Sequence, residues 1–400
     1  MTVSVPKQPP APIAEAAAHP LKVICFLFDP NTGGPHIRAR AVYQRMTAQG
    51  HAVRVVFPRG EGSGPGYIAE AGIPVDQLDI KKPVTPSKPW AFLKFACGLP
   101  LTLWRVVRYL KQQRPDVIHV NGAFDIGPAL AGRLAGVPVI WHLNDTVFSP
   151  RLSRLLGGLV RRTATVVVAA AGRVARHYGV AEHGARTIFA PVDVARFAPR
   201  SPLGHPRPAP VLGLLANWNL YKGQDRFVEV IARLRHEAPD SAVTGRVMGK
   251  FVESQRGYWE PILERIKADG LEAAIDAPGF VADTVQALRE IDILLLTSLS
   301  EASPICVLEA MSIGIPQVVF DVGGVREMLG EGEEAAGLIV PEGDVAAMVT
   351  AVQRLLQDPD LYAAMAANGQ ARARAHFSLE TCVARHEAAY RAAIEKRGRA

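Results

Sequence analysis

The sequence predicts two α/β domains, each a doubly wound parallel sheet, and three observations carry that prediction. The 400 residues exceed what one hydrophobic core usually organises. Short, bounded apolar runs alternate with longer segments whose apolar residues recur every three or four positions, the pattern of strand then helix. A Pro-dense stretch, Pro199 to Pro210, breaks the alternation, and the pattern then restarts.

Residues 1–20 lack a continuous apolar core and read as a flexible lead-in, not a signal peptide. The first domain, 21–197, carries strands at Lys22 to Phe28, Ala52 to Pro58, Val117 to Val120, Val137 to His142 and Thr165 to Ala169. Ile37 to Gln49 has helical spacing, and alternation of this kind places helices on both faces of a parallel sheet. Residues 198–210 read as the interdomain linker. The second domain, 211–380, has strands at Val211 to Ala216, Ala242 to Met248, Ile293 to Leu296, Gln317 to Phe320 and Leu338 to Pro341; helical spacing fills 381–400. Trp90 to Leu110 is apolar, but Lys94, Pro100, Arg105 and Arg108 interrupt it, so it reads as a half-buried helix or an amphipathic patch resting on lipid.

Cys25, Cys97, Cys306 and Cys382 are widely spaced with no CxxC pair, which implies neither a disulfide framework nor a zinc site and fits a reduced, cytoplasmic setting. The net charge is +7. It is unevenly shared: residues 1–195 hold 23 Lys and Arg against 11 Asp and Glu, and the remainder holds 22 against 27. A basic first half suits an anionic acceptor or an anionic membrane surface, or is simply a solvated face.

Ser298 to Gly314, SLSEASPICVLEAMSIG, follows an apolar strand and carries Glu301 and Glu309. A loop passing Ser303 and Pro304 into a helix at Ile305 aims free amides at an anion such as a diphosphate. Glu309, inside that helix, can accept paired hydrogen bonds from the hydroxyls of a ribose, each worth about 1.5 to 3 kcal/mol. Val322-Gly323-Gly324 then opens another helix with Glu327, the layout of phosphate- and ribose-binding loops at the carboxyl ends of parallel strands. Tyr221-Lys222-Gly223-Gln224-Asp225 follows the first strand of the second half, where an ammonium can stabilise charge on a departing diphosphate. In the first half, Gly33-Gly34 leads into a helix with His36 and Arg38, matching neither GxGxxG nor a Walker sequence. His142 and Asp145 lie at a strand's carboxyl end, where a structural and a functional histidine are equally compatible with the sequence.

Taken in order, these segments resemble the retaining glycosyltransferases of family four, whose GT-B fold sets two Rossmann-like domains facing each other across a cleft. The likeness rests on Gly33-Gly34, PDVIHVNG at Pro115 to Gly122, His142, PVDVARF at Pro191 to Phe197, KGQD at Lys222 to Asp225, and the Glu301 to Glu309 pair; the last two are the specific ones. The resemblance implies an acceptor-binding first domain, a donor-nucleotide second domain and a final helix returning to the first. It also implies that Lys222 contacts the diphosphate, Glu309 the ribose, Glu301 the sugar hydroxyls, and His142 the sugar from the other domain. Phe280 and Val281 in GFVAD would meet the base, and Ser303, Pro304, Ile305, Cys306 and Val307 the phosphates. Gly33, Gly34, Asn217, Gly249 and Lys250 complete the donor-side expectations, and His36, Arg38 and Asp145 are acceptor-side candidates.

Members of that family carry an Arg five or six residues before the KGQD lysine, where this chain has Asn217 and Ala216. Either Lys250 or Arg38 then replaces that cation, or turnover is slower. The resemblance implies no metal, front-face attack, no cofactor beyond the nucleotide-sugar co-substrate, and no nucleic-acid partner. The expected acceptor is a glycan or a lipid-linked molecule, with the protein cytoplasmic or peripheral at the inner membrane face. A nucleotide-sugar epimerase and a non-catalytic nucleotide-sugar-binding protein stay open as alternatives.

Overall fold

Seven parallel strands build the first sheet of the computed structural model, which describes residues 19–80, 89–200, 206–237 and 242–398. They are β1 (Lys22–Phe26), β2 (Ala52–Pro58), β3 (Val75–Leu78), β4 (Val117–Asn121), β5 (Val139–Leu143), β6 (Val166–Ala169) and β7 (Arg186–Thr187). Their order is β3-β2-β1-β4-β5-β6-β7. Every residue of β4 and β5 is buried, which is why VIHVN and VIWHL are nearly continuous apolar runs instead of alternating ones. The short β3 and β7 have no such run and were not expected from the sequence.

The second sheet has six parallel strands: β8 (Val211–Leu215), β9 (Thr244–Met248), β10 (Ile275–Gly279), β11 (Ile293–Leu296), β12 (Gln317–Phe320) and β13 (Leu338–Val340). Their order is β10-β9-β8-β11-β12-β13. Strand β10 reads IDAPG, with a register shift between Asp276 and Gly279, and too few apolar residues to announce a strand. In both sheets the strand order reverses beside the first strand, at β1/β4 and at β8/β11. That reversal splays the flanking loops apart at the carboxyl edge and leaves a crevice there.

The chain divides into two compact units, Met1–Asn144 with Phe148–Ile188 and Val383–Ala400, and Asp145–Val147 with Phe189–Cys382. This moves two expected boundaries. Residues 189–197 group with the second unit because Val192 N donates to Phe377 O at 2.8 Å and Phe197 is buried in the second core. The described parts of Pro199 to Pro210 also belong there. Arg200 reaches Tyr362 Oη at 2.6 Å and Arg207 reaches Asp292 Oδ2 at 3.0 Å, so ion pairing and hydrogen bonding hold a segment read as a linker. Residues 201–205 and 1–18 of the expected linker and lead-in lie outside the described residues.

The last helix, Leu379–Gly398, contributes its part from Val383 onward to the first unit. His51 there pairs with Glu387, and Arg186 donates to Ala388 O at 2.9 Å. The apolar segment near residue 100 forms the helix Pro89–Gln113. Phe95, Thr102, Val106, Tyr109 and Leu110 are buried, yet Trp90, Leu93, Leu101 and Trp104 on the same helix are exposed. Among the described residues no helix is long and apolar enough to cross a membrane.

Candidate functional site

In the second unit, the loops after β8 and β11 meet at the strand-order reversal. Lys222 closes the short turn Leu220–Lys222, and Gly223 follows with φ +69°. A Cβ on Gly223 would lie 2.1 Å from Thr297 O, so glycine is required for the two loops to touch. Leu299 N donates to Tyr221 O at 2.8 Å and Thr297 Oγ1 to Lys222 O at 3.2 Å. These ties bring Lys222 Nζ to 2.6 Å from Glu301 Oε1. Burial pulls the Lys222 pKa down, but the Glu301 carboxylate outweighs it and the net shift is upward, so the ammonium is fixed in its charged form.

The loop is clamped from its other side by Gly323, with φ +54° and a Cβ position only 2.0 Å from Glu301 O. Gly324 N donates to Ala302 O at 2.8 Å. The chain then enters the helix Ile305–Ile313, whose N-cap, Pro304, offers no side-chain acceptor. Its first amides therefore lack intrahelical partners and point at the loop Glu301 to Pro304. Ser303 Oγ accepts from Ala190 N at 3.0 Å, so the hydroxyl anchors the loop. Burial, with Glu301 adding to it, pushes the Cys306 thiol up to about 12, which makes it an inert neutral group.

Glu309 lies just over one turn into this helix, half-buried, and its carboxyl makes no hydrogen bond among the described residues. Burial raises its pKa to about 7 against the lowering influence of Arg196. A carboxylate kept desolvated and unpartnered is a poised acceptor. Arg196 lies in PVDVARF, a segment quoted from the sequence without a role for its arginine.

Asn217 and Lys250 stand side by side at the carboxyl ends of β8 and β9. Asn217 Oδ1 accepts from Lys250 N at 3.1 Å, and Trp218 N donates to Lys250 O at 2.9 Å. The Lys250 side chain is exposed and makes no hydrogen bond among the described residues. Gly249, with φ +151° and a Cβ position 2.0 Å from Ala216 O, is what allows the two loops this approach. At the end of β10, Gly279 turns with φ +79° and leaves Phe280 72% exposed, with Val281 beside it. Asp283 caps the next helix through Val285 N and Gln286 N.

In the first unit, Gly33 caps and Gly34 begins the helix Gly34–Ala48, and a Cβ on either would meet nothing within 4 Å. Packing does not demand glycine at these positions. His36 is buried, with Nε2 on Asp29 O at 2.9 Å and Nδ1 accepting from Gly33 N at 3.3 Å, so the ring shapes its own loop and does not face outward as an acceptor-side group. Arg38 is 6% exposed. It donates to His142 Nε2 at 3.0 Å, to Asn144 Oδ1 at 2.6 Å and to Asn121 Oδ1. His142 is wholly buried, and burial, then Arg38, hold its pKa well below the usual histidine value. Asp145, which groups with the second unit, accepts from Val147 N through Oδ1 at 3.4 Å. Among the described residues no group of three His, Cys, Asp or Glu side chains could hold a metal ion.

Comparison with known proteins meets this geometry in both units. Residues 209–358 match the family model described as glycosyl transferases group 1, and residues 33–187 match the glycosyl transferase 4-like domain. The chain belongs to this glycosyltransferase family, and its fold is GT-B. A lipopolysaccharide core biosynthesis mannosyltransferase of Rhizobium meliloti is 30% identical over 231 residues, 56% of this chain and 64% of that protein. A phosphatidyl-myo-inositol mannosyltransferase of Mycobacterium leprae is 26% identical over 340 residues, 82% of this chain and 84% of that protein. The crystal structure of Anabaena HepE in complex with UDP superposes with a TM-score of 0.76 at 21% identity, covering 92% of this chain and 99% of that one. The match to the Rhizobium protein spans less than two thirds of its length.

Proposed function

We propose that this protein transfers a sugar from a UDP- or GDP-linked donor to a hydroxyl of a glycan or lipid-linked acceptor, with retention of anomeric configuration and without a metal or other cofactor. The observation that carries the reading is the grouping, at one strand-order reversal, of a fixed ammonium, an uncapped helix N-terminus and the unpartnered, desolvated Glu309. The ammonium and amides match a diphosphate, and the carboxylate matches the two hydroxyls of a ribose. The HepE complex with UDP supports a nucleoside diphosphate as the ligand class.

On this reading Lys222 and Lys250 take up the negative charge that develops on the departing diphosphate. Donor phosphates compete with Glu301 for the Lys222 ammonium, which frees Glu301 to accept from sugar hydroxyls. The exposed Phe280 ring offers a face on which a nucleobase stacks, with Val281 at its edge. Lys250 replaces the absent arginine because its main chain is hydrogen-bonded to Asn217, the position where that arginine is expected. The departing phosphate itself takes the acceptor proton, and Gly33 and Gly34 leave the open space a substrate needs.

An anionic membrane surface is the favoured site of action. Residues 80–115 contain eight Lys and Arg and no Asp or Glu. The helix inside that stretch exposes Trp90 at 78%, Leu93 at 52%, Leu101 at 48% and Trp104 at 57%. Indole rings with basic flanks suit the interface of an anionic bilayer, and the charge disfavours self-pairing of the same face. One mannosyltransferase relative is named for lipopolysaccharide core biosynthesis and the other for phosphatidyl-myo-inositol, which supports a lipid-linked acceptor. The test is a thermal-shift screen of UDP, GDP, ADP and TDP with their sugars. A shift for one nucleotide that vanishes in Glu309→Ala supports the donor site, and no shift for any nucleotide overturns it.

A further inference from the structure

The first unit holds a buried chain of polar groups that ends on Arg38. Strand β4 carries His119 and Asn121 on one face, and Asn121 is paired in register with His142 of β5. His119 Nε2 lies 3.2 Å from His142 Nδ1, and the two rings stack at 5.3 Å with planes 10° apart. On its far side, His119 Nδ1 lies 2.7 Å from Tyr390 Oη and 2.9 Å from Tyr43 Oη.

The direction of every bond follows from Arg38. A guanidinium has no acceptor and keeps its charge at any physiological pH, so its bond to His142 Nε2 obliges that nitrogen to present a lone pair. The proton of a neutral His142 ring then sits on Nδ1 and donates to His119 Nε2. His119 in turn carries its proton on Nδ1 and donates it to a tyrosine oxygen. The amides agree: Asn121 Nδ2 donates to Phe26 O at 3.2 Å and Asn144 Nδ2 to His142 O at 3.3 Å, which turns both Oδ1 atoms toward Arg38.

We propose that His119 is a positioning residue: by accepting from His142 Nδ1 it locks His142 in the Nδ1–H tautomer, so that the His142 Nε2 lone pair, with Asn121 and Asn144, fixes the Arg38 guanidinium. A free histidine side chain favours the opposite, Nε2–H tautomer, so without an acceptor at His142 Nδ1 the ring's own preference works against the lone pair that Arg38 requires. His142 then serves as a neutral acceptor and not as a proton carrier, which removes the histidine an epimerase would draft. Groups facing the pair are Arg38, Tyr43, Tyr390 and His386, the last stacked 5.7 Å from His119 and tilted by 35° at 5.8 Å from His142. Burial first, then these cations and rings, keep both histidines neutral near pH 7.

The consequence for turnover rests on reading Arg38 as substrate-facing; the tautomer itself does not. The experiment is long-range proton–nitrogen NMR of the full-length protein labelled at histidine nitrogens, assigned with His142→Gln, alongside kinetics of His119→Gln and His119→Leu. Glutamine keeps an acceptor at the Nε2 position and leucine does not. The expected result is an Nδ1–H signal for His142 in wild type and His119→Gln, and its loss in His119→Leu. In parallel, kcat should fall at least tenfold in His119→Leu, with the donor KM unchanged and His119→Gln within about threefold of wild type. An Nε2–H or doubly protonated His142 in wild type at pH 7.5, or an unaltered tautomer in a folded His119→Leu, overturns the proposal. Tautomer loss without a change in kcat overturns the link to Arg38 while leaving the donor site standing.

Discussion

Replacing Glu309 with Gln should stabilise the free protein above neutral pH while abolishing its response to nucleotide, two effects of opposite sign from one substitution. Burial raises the Glu309 pKa from 4.5 to about 7, so the folded protein holds this proton more tightly than the unfolded chain. The sign follows from linkage. The stabilising contribution is complete below pH 4.5 and is lost as pH rises through about 7, beyond which the fold carries a desolvated anion. That penalty is on the order of 3 kcal/mol at pH 8. A buried glutamine amide without partners returns about 1 to 2 kcal/mol of it. The net gain is about 1 kcal/mol, or roughly 2 to 4 °C in Tm for a unit of this size. At pH 5 wild-type Glu309 is already neutral and the gain should vanish. Losing two charge-assisted hydrogen bonds to a ribose weakens nucleoside diphosphate binding by roughly a hundredfold or more. Differential scanning fluorimetry at pH 5 and pH 8, with and without UDP and GDP, reads both effects. Equal destabilisation at the two pH values, or an undiminished ligand shift in the variant, would refute the reasoning.

Three further outcomes follow from the same geometry. Lys250→Ala should lower kcat by roughly a hundredfold with little change in stability, since the side chain is exposed; unchanged turnover would remove Lys250 from the mechanism. Trp90→Ala with Trp104→Ala should reduce co-sedimentation with phosphatidylglycerol vesicles, and wild-type binding should fall steeply with salt; salt-independent binding, or none, would contradict the surface assignment. Gly323→Ala should destabilise the second unit by more than about 2 kcal/mol, because it combines φ +54° with a clash against Glu301 O; an unchanged Tm would show that the Glu301 loop relaxes freely.

The long buried strands were legible because burial on both faces writes continuous apolar runs, as in VIWHL and ILLL. Strands β3, β7 and β10 were not, since their short or polar segments are held by neighbours instead of by their own composition. The unit boundary was misplaced for a related reason: proline density marks a segment without regular structure, but hydrogen bonds of Arg200 and Arg207 decide which core it joins. At the site, the Glu301 to Glu309 spacing and the Lys222 loop could be read from sequence because one helix and one turn fix them. The Lys222 to Glu301 pairing, 79 residues apart, depends on Gly223 and Gly323 bringing loops together and could not. His119 and Asn121 lie in PDVIHVNG, a segment legible in the sequence, but their individual roles, like that of Asn144, were not, because these rest on contacts with Arg38 and His142 across separate strands.

The central claim is tested most directly by incubating the protein with UDP- and GDP-sugars and a bacterial lipid extract, and following nucleoside diphosphate release and the glycosylated product by mass spectrometry. Transfer from one donor class should be found, with the donor's anomeric configuration kept by NMR, no effect of EDTA, and a loss of at least a hundredfold in Lys222→Ala. Tight donor binding with neither transfer nor hydrolysis would contradict the claim and leave a nucleotide-sugar-binding protein, and a product of inverted configuration would contradict the retaining mechanism.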